Sequence, residues 1–589
     1  MKMTVNTGKD GPKPNQWVPE AMCDDLEELA KLFPVQPVDS EVFEYLHSVM
    51  SHRLLILDGA MGTMIQRHKL EESDYRGERF ADWPSDLKGN NDLLPITKPD
   101  IIREIHLAYL RGGADMVETD TFNAQCISLA DYGMGNDEAV EINLAACKVA
   151  REACDIAEQE DGNRRLVAGS IGPMNRTLSI SPSVEDPGAR GMTFDEAYEA
   201  YKVQVDALYE GGADVLLVET IFDTLNAKAA LLAINDVAEQ RGERKPLFIS
   251  GTIVDKSGRT LSGQTIEAFW TSVMHSRPFC IGLNCALGAE DMRPYAERLS
   301  TLANCYVHAY PNAGLPNLMG EYDQLPTAFA EEVRTFVDAR CVNMLGGCCG
   351  TSPEHIGAMA DKAKKLLASG VALRELPTAV DPYLRTSGLE MLHHTPTLNF
   401  VNIGERCNIA GSRRFKKMVC DGRFQDAVAV AAKQIDAGAQ MLDVNVDDGL
   451  VDGKSAMTRF LNLLMSEPDV ARVPVVVDSS RFDVVIAGLK CLQGRSVVNS
   501  ISLKVGVEEF IRQARRLRAF GCAVVVMAFD EEGQAASAYD KVRICQRAFR
   551  ILTSPLVGMP ACDIIFDPNV LTIATVCCFC LCSRMHLLR

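Results

Sequence analysis

No run of about 18 apolar residues occurs in the 589-residue chain, so no membrane-crossing helix is expected. The opening residues, MKMTVNTGKDGPKPNQW, lack the apolar stretch of a secretory signal. Positive charge is also scarce. The 60 Lys and Arg against 79 Asp and Glu leave a formal net charge of −19, which argues against nucleic acid or an anionic membrane as the main partner. A soluble, cytoplasmic protein is the expectation. Cysteine, by contrast, is plentiful at 20 residues. Most lie singly in apolar stretches, as Cys147, Cys154 and Cys522 do, and read as free buried thiols. In a reducing compartment, cysteines at strand ends point instead to metal or catalysis.

The composition, 47% hydrophobic and 24% charged, is that of a globular protein, and the length suggests two large domains. A unit recurs: a helix-like segment, Gly-Ala-Asp or similar, then an apolar strand ending in acid, as in YLRGGADMVETDTF (109–122), LYEGGADVLLVETIF (208–222) and QIDAGAQMLDVNVD (434–447). Apolar strands alternating with helices indicate a parallel sheet covered on both faces. Between residues 50 and 352 eight strands are expected, at 54–59, 115–122, 165–172, 214–222, 246–253, 279–286, 305–310 and 342–349. Eight is the count of a (β/α)8 TIM barrel, whose chemistry gathers at the C-terminal strand ends. Asp58, Glu118, Asp120, Glu219, Cys285 and Cys348 fall at those ends. A doubly wound open sheet is the second choice. Six further strands follow residue 399, so the fold class is α/β, a TIM barrel followed by a second, incomplete TIM-type barrel. The expected division is an N-terminal extension (1–49), the first barrel (50–370), a linker (371–397), the partial second barrel (398–575) and a Cys-rich tail (576–589).

Cys348 and Cys349, in NMLGGCCGTSP (343–353), share a strand end where glycine leaves the backbone free to turn. In a closed barrel Cys285, ending GLNC, reaches the same mouth. Three thiolates with a fourth position open suit catalytic zinc, and a thiol bound there would become a nucleophile. Chance packing of three cysteines beside glycines is the alternative. The boxes DGAMGT (58–63), GLNCALG (282–288), PNAG (311–314) and GGCCGT (346–351) resemble the barrel of zinc-dependent homocysteine S-methyltransferases. The resemblance implies that Cys285, Cys348 and Cys349 hold Zn2+ and that homocysteine sulfur takes the open position. Asn312 would supply a ligand or hydrogen bond when homocysteine is absent. Glu219 would meet the substrate ammonium, and the turn of Asp58, Gly59, Ala60 and Thr63 its carboxylate.

The second module carries IGERCN (403–408), DVNVDD (443–448), VVDSS (476–480), VNSIS (498–502) and FDPN (566–569). A mouth ringed by Asp and Asn suits a heterocycle rich in donors and acceptors. These boxes resemble the pterin-binding barrel of methyltetrahydrofolate-dependent methyltransferases. The two barrels in this order resemble the N-terminal half of the cobalamin-dependent methionine synthases. By that likeness Asp478, Asn499 and Asp567 would contact the pterin, Asp443, Asn445 and Asp447 would line the same mouth, and Glu405 and Asn408 would lie near the folate. Asn499 or a neighbouring acid would assist protonation of N5. The reaction implied is methyl transfer from 5-methyltetrahydrofolate, through cobalamin, to homocysteine, yielding methionine. No Asp-x-His-x-x-Gly box, that family's cobalamin-ligating motif, occurs in the sequence, and no S-adenosylmethionine domain is recognised. The tail VCCFCLCSRMHLLR reads as an aberrant end that cuts the second barrel short, leaving it poorly stable. The competing readings are a homocysteine methyltransferase using betaine or S-methylmethionine, and a non-catalytic chain that only binds homocysteine and zinc.

Overall fold

The computed structural model describes residues 24, 26–33, 36–254, 256–379 and 381–570. The Cys-rich tail therefore lies outside the described residues. All eight expected strands of the first barrel form: β1 (Leu55–Ile56), β2 (Met116–Glu118), β3 (Leu166–Ile171), β4 (Val215–Ile221), β5 (Leu247–Gly251), β6 (Cys280–Gly288), β7 (Tyr306–Asn312) and β8 (Met344–Leu345). Every neighbouring pair is parallel, and a parallel bridge from Leu57 to Met116 closes the ring between β1 and β2. The open doubly wound alternative is thereby excluded.

The apolar strand runs divide by alternation. Leu55, Leu57, Leu166, Ala168, Val215 and Leu217 enter the barrel core, while Leu54, Ile56, Leu216 and Val218 face the surrounding helices. Part of the expected N-terminal extension belongs to this core. Helix Val42–Met50 buries Val42, Leu46 and Met50 in the same cluster, and Phe43 and His47 lie against Phe279. The barrel thus begins near residue 42, because its floor needs an apolar cover.

The second sheet has six parallel strands in sequence order: β9 (Ile403–Asn408), β10 (Met441–Asn445), β11 (Val475–Asp478), β12 (Val497–Ile501), β13 (Ala523–Met527) and β14 (Ile564–Asp567). Among the described residues, β9 and β14 each have one neighbour, as the strand count anticipates.

The segment expected as a plain linker is built into the seam between the two units. It forms a hairpin, Arg385–Ser387 with Met391–His393. Ser387 exchanges hydrogen bonds with Arg495, and Leu389 N–H donates to the Ala471 carbonyl. On the other side Thr265 N–H donates to Leu389 and Gln264 Nε2 to Gly388. Lys228, 5% exposed on helix Thr224–Arg241, crosses directly and donates to the Leu492 and Gly494 carbonyls at 3.1 and 2.9 Å. Ion pairs Arg516–Asp236, Arg459–Asp186 and Lys490–Asp195 rim the seam.

Removing the lysine would strand two carbonyls in this interface, a loss of about 1–3 kcal/mol per unpaired buried group. Lys228→Met is expected to hasten proteolytic cleavage within 399–570 while 50–368 survives. Equal cleavage of variant and parent would show that the lysine does not pin the second unit.

Candidate functional site

Two strands break their regular pairing where they reach the mouth of the first barrel. On β4 the register shifts between Val218 and Ile221, and Thr220 takes φ +53°. On β6 it shifts between Asn284 and Gly288, and Cys285 and Ala286 take φ +59° and +56°. Positive φ at a β-branched residue is strained and persists only where surroundings enforce it. Asn284, fully buried, is the enforcer. Its Oδ1 accepts from Thr220 N–H at 3.0 Å and from Ser250 Oγ at 2.7 Å, and its Nδ2 donates to Thr220 Oγ1 at 2.7 Å. Such bulges re-aim side chains; here they carry Glu219 and Cys285.

The Cys-Cys turn after β8 is sewn to β7 and β1. Cys348 N–H donates to Pro311, Ala313 N–H to Cys349, and Gly347 N–H to Asp58. Of the glycines in this box only Gly350 has positive φ, at +80°. Gly347 is present for space, since a Cβ there would lie 2.4 Å from Thr351 Oγ1. Conformational freedom is therefore needed at one glycine of the box and close packing at another.

These turns bring together the three cysteines that the sequence singled out. The Sγ atoms of Cys285, Cys348 and Cys349 all lie within 4.8 Å of one another, with Cys285 and Cys349 at 3.8 Å. All three are half-buried and free of disulfides. Hydrogen bonds from the Cys285 and Cys348 thiols hold Cys349 well below the usual thiol range, while the same crowding raises Cys348. Two thiols stabilise one thiolate, and three thiolates would need a cation. The soft sulfur set fits a thiophilic divalent ion with protein ligands on one side only.

A cavity of about 450 Å³ opens beside the sulfurs, lined by Asp58, Gly59, Ala60, Thr63 and Glu219 among others. Asp58, Asp92, Asp120 and Glu219 are at most 6% exposed, and Glu118 joins them on the wall. Burial raises Asp92 and Glu219 to about 7 and lifts Asp58, Glu118 and Asp120 well above the carboxylate range. Asp58, Glu118 and Glu219 repel one another; Asp92 and Asp120 form a second set. Glu219 accepts from Ser170 Oγ at 2.6 Å and Tyr310 Oη at 3.4 Å. Asp58 accepts Glu118 N–H at 3.1 Å, leaving its Oδ1 buried without a partner. Ala60 N–H is already spent on Thr351 Oγ1, and Thr63 Oγ1 accepts from Gly350 N–H. Asn312 is the last residue of β7 rather than beyond it, and is not among the lining residues. It is buried with Oδ1 unpartnered, next to the strand end that holds the cysteine turn.

In the second sheet, Asn408, Asn445, Asp478 and Asn499 stand level in one register row across β9 to β12. Asn408 Nδ2 lies 3.3 Å from both Asp443 and Asp478. Burial raises Asp443 to about 8 and Asp478 to about 6. Asp447 lies just past the same strand ends, beside the Asp478 strand. Ser479 Oγ, Ser480 N–H and Ser480 Oγ occupy both its oxygens, which makes it a loop fastener. Glu405 is exposed on the outer strand, and Asp567, on β14, accepts Asn569 N–H in a turn. Sequence reasoning passed over Asn284, Asp92, Ser170 and Tyr310. Only the adjacency of Asn284 to Cys285 signalled it.

The five carboxyls give a pH signature. An acid whose folded pKa lies above its unfolded value near 4 keeps a proton that the unfolded chain has lost, so stability falls as pH climbs from about 4 through 7. The metal-free protein is expected to lose thermal stability over that window as Asp92 and Glu219 ionise. Asp120→Asn is expected to flatten the curve, gaining roughly 2 °C or more at pH 8. Parallel curves for variant and parent would contradict this.

Two family models match the chain: homocysteine S-methyltransferase over residues 55–363 and pterin-binding enzyme over residues 404–576. Among solved structures, the homocysteine methyltransferase MmuM from Escherichia coli is similar in its metallated form at 23% identity, covering 54% of this chain and 99% of that one, with a TM-score of 0.42. Its oxidised form is similar at 21% identity over the same shares, with a TM-score of 0.43. A rubisco-like protein from Burkholderia fungorum is similar at 11% identity, over 59% of this chain and 68% of that one, with a TM-score of 0.31. The first match spans more than half of the sequence and includes every residue of the cysteine site. The chain belongs to the homocysteine S-methyltransferase family.

Proposed function

We propose that the first barrel binds zinc and homocysteine and makes methionine, with 5-methyltetrahydrofolate at the second barrel as the methyl source and cobalamin as the carrier. The observation that carries this reading is the convergence of three thiols with a carboxyl-lined cavity. Cys285, Cys348 and Cys349 hold the zinc, and Asn312 lends an oxygen in the absence of substrate. Zinc bound there supplies a Lewis acid that keeps a thiol ionised at neutral pH.

The chain's own residues do the positioning. Glu219, braced by Ser170 and Tyr310, receives the substrate ammonium with help from Asp58. The turn of Gly59, Ala60 and Thr63 faces the carboxylate. The carboxyl-lined wall suits the ammonium end of the amino acid, and closure of the surrounding strands fixes its sulfur in one place. In the second unit, the row Asn408, Asn445, Asp478 and Asn499, with Asp443 beside it, reads the pterin edge, and Asn499 steers a proton towards N5. No residue of this chain is assigned to cobalamin.

A second reading has one observation in its favour. Asp92 and Asp120 form a separate acidic set in the first cavity, a place for a small cationic donor such as betaine or S-methylmethionine.

Product is expected with methylcobalamin and homocysteine, and none with betaine or S-methylmethionine. The reverse pattern would establish the second reading, and no product with any donor would leave a binding protein. About one zinc per chain is expected, lost in Cys285→Ala and Cys349→Ala; undiminished zinc in both variants would dismiss the site. Asp478→Ala is expected to weaken 5-methyltetrahydrofolate binding at least about tenfold by calorimetry, the scale of a hydrogen bond to a charged group. Unchanged affinity would remove Asp478 from the pterin site.

A further inference from the structure

Positive charge is scarce in this chain, yet one cavity collects it. A space of about 280 Å³ lies in the seam between the two units. Trp270, Met274 and Leu302 of the first unit and Met559 and Pro560 of the second give it apolar walls. Four arginines also line it, Arg277, Arg385, Arg495 and Arg518, against two carboxylates, Asp381 and Asp563. Arg277 and Leu302 precede β6 and β7, while Arg495 and Asp563 precede β12 and β14. The cavity therefore lies towards the N-terminal ends of the strands, on the side away from both mouths.

The two carboxylates are already taken. Asp563 accepts from Arg495 at 2.6 Å, and Asp381 from Arg385 at 2.6 Å. Arg277 and Arg518 have no ion pair and no side-chain hydrogen bond among the described residues. They come from different units. Arg277 follows the one-turn helix Met274–Ser276 and is exposed at the rim, while Arg518 is half-buried on helix Val507–Phe520. Both also line a smaller pocket of about 60 Å³ beside Gln36 and Phe43, so two adjoining spaces share the pair. The charged neighbours there do not neutralise them, since Arg244 is held by Asp39 and Arg515 by Glu239. Burial and the nearby Lys228 and Arg495 push His275 down to about 3, so its ring adds no charge.

Two further observations mark the pair as placed rather than incidental. Arg277 takes φ +51°, a left-handed angle that glycine adopts freely and arginine does not. Arg518 is braced on Gly558, where a Cβ would lie 3.5, 3.6 and 3.7 Å from its Cζ, Nη1 and Nη2. The guanidinium thus rests flat across the glycine. Beside it His275 packs across the seam onto Gly521, where a Cβ would come within 2.3 Å of the ring.

Like charges left facing one cavity repel, and an oxyanion between them relieves the repulsion. Guanidinium forks match the paired oxygens of phosphate and carboxylate. Two unpaired cations favour a group with about two negative charges, which a phosphate monoester carries near neutral pH and a carboxylate does not. The apolar walls favour a compact apolar body behind that group.

We propose that the seam cavity binds a small phosphate monoester with an apolar body, held between Arg277 of the first unit and Arg518 of the second. Such a ligand bridges the two units from a place remote from either mouth. Nothing in this site depends on the zinc or pterin readings.

Phenyl phosphate, inorganic phosphate and benzoate are titrated separately into the full chain by calorimetry, in buffer otherwise free of oxyanions. Phenyl phosphate is expected to bind at least about tenfold tighter than the others, because inorganic phosphate leaves the walls unused and benzoate brings one charge. Arg277→Gln and Arg518→Gln are each expected to weaken it about tenfold or more. Without ligand, both variants are expected to melt no lower than the parent, since each removes one of two repelling charges. Unchanged affinity in both variants overturns the proposal, as does benzoate or inorganic phosphate binding as tightly as phenyl phosphate. Variants that melt well below the parent without ligand also overturn it, by making the arginines supports of the seam. No measurable binding of phenyl phosphate overturns it as well.

Discussion

Closure of the eight-stranded ring is the constraint on which the site depends. Parallel strands all end on the same side, and a closed ring gathers those ends over one opening. Residues 63 positions apart, Cys285 and Cys348, thereby become neighbours whose sulfurs share a space under 5 Å across. The same closure crowds carboxyls, and the mouth concentrates negative charge on three thiols and five acids. Most of these acids hold protons that they would lose in water. A cluster of acids kept this far from its electrostatic optimum is one that a bound positive group would stabilise.

Strain has been placed where function needs it. Thr220, Cys285 and Ala286 adopt backbone angles that a regular strand would not tolerate, and a single buried amide, Asn284, ties the bulged strand end of Thr220 to its own. The result is a cross-strand fastener between the strand ends that carry Glu219 and Cys285. That arrangement keeps Glu219 and Cys285 in fixed relation whatever moves at the rim.

The second unit leans on the first. Its sheet has two outer strands with one neighbour each among the described residues, yet its helices and the 385–393 hairpin are locked to the barrel by buried hydrogen bonds and ion pairs. A segment rich in proline and without periodicity looked like a connector because the sequence shows no partner for it. Its hydrogen bonds come from both barrels, and neither barrel's residues announce them locally.

Much of the fold was legible because it depends on local pattern. Apolar runs ending in acid mark parallel strands whatever surrounds them, and all fourteen expected strands form. The meeting of Cys285, Cys348 and Cys349 was legible because each falls at the end of a strand in an eight-strand count. The cover of the barrel floor by Val42–Met50, the fastening role of Asn284, the loop role of Asp447 and the meeting of Arg277 and Arg518 at the seam were not. Each of these depends on a partner distant in sequence. The sequence by itself determined which residues end each strand, since side-chain alternation and turn chemistry act over a few positions. Only the tertiary structure decided which of those ends touch, because ring closure and packing set distances that no local pattern contains.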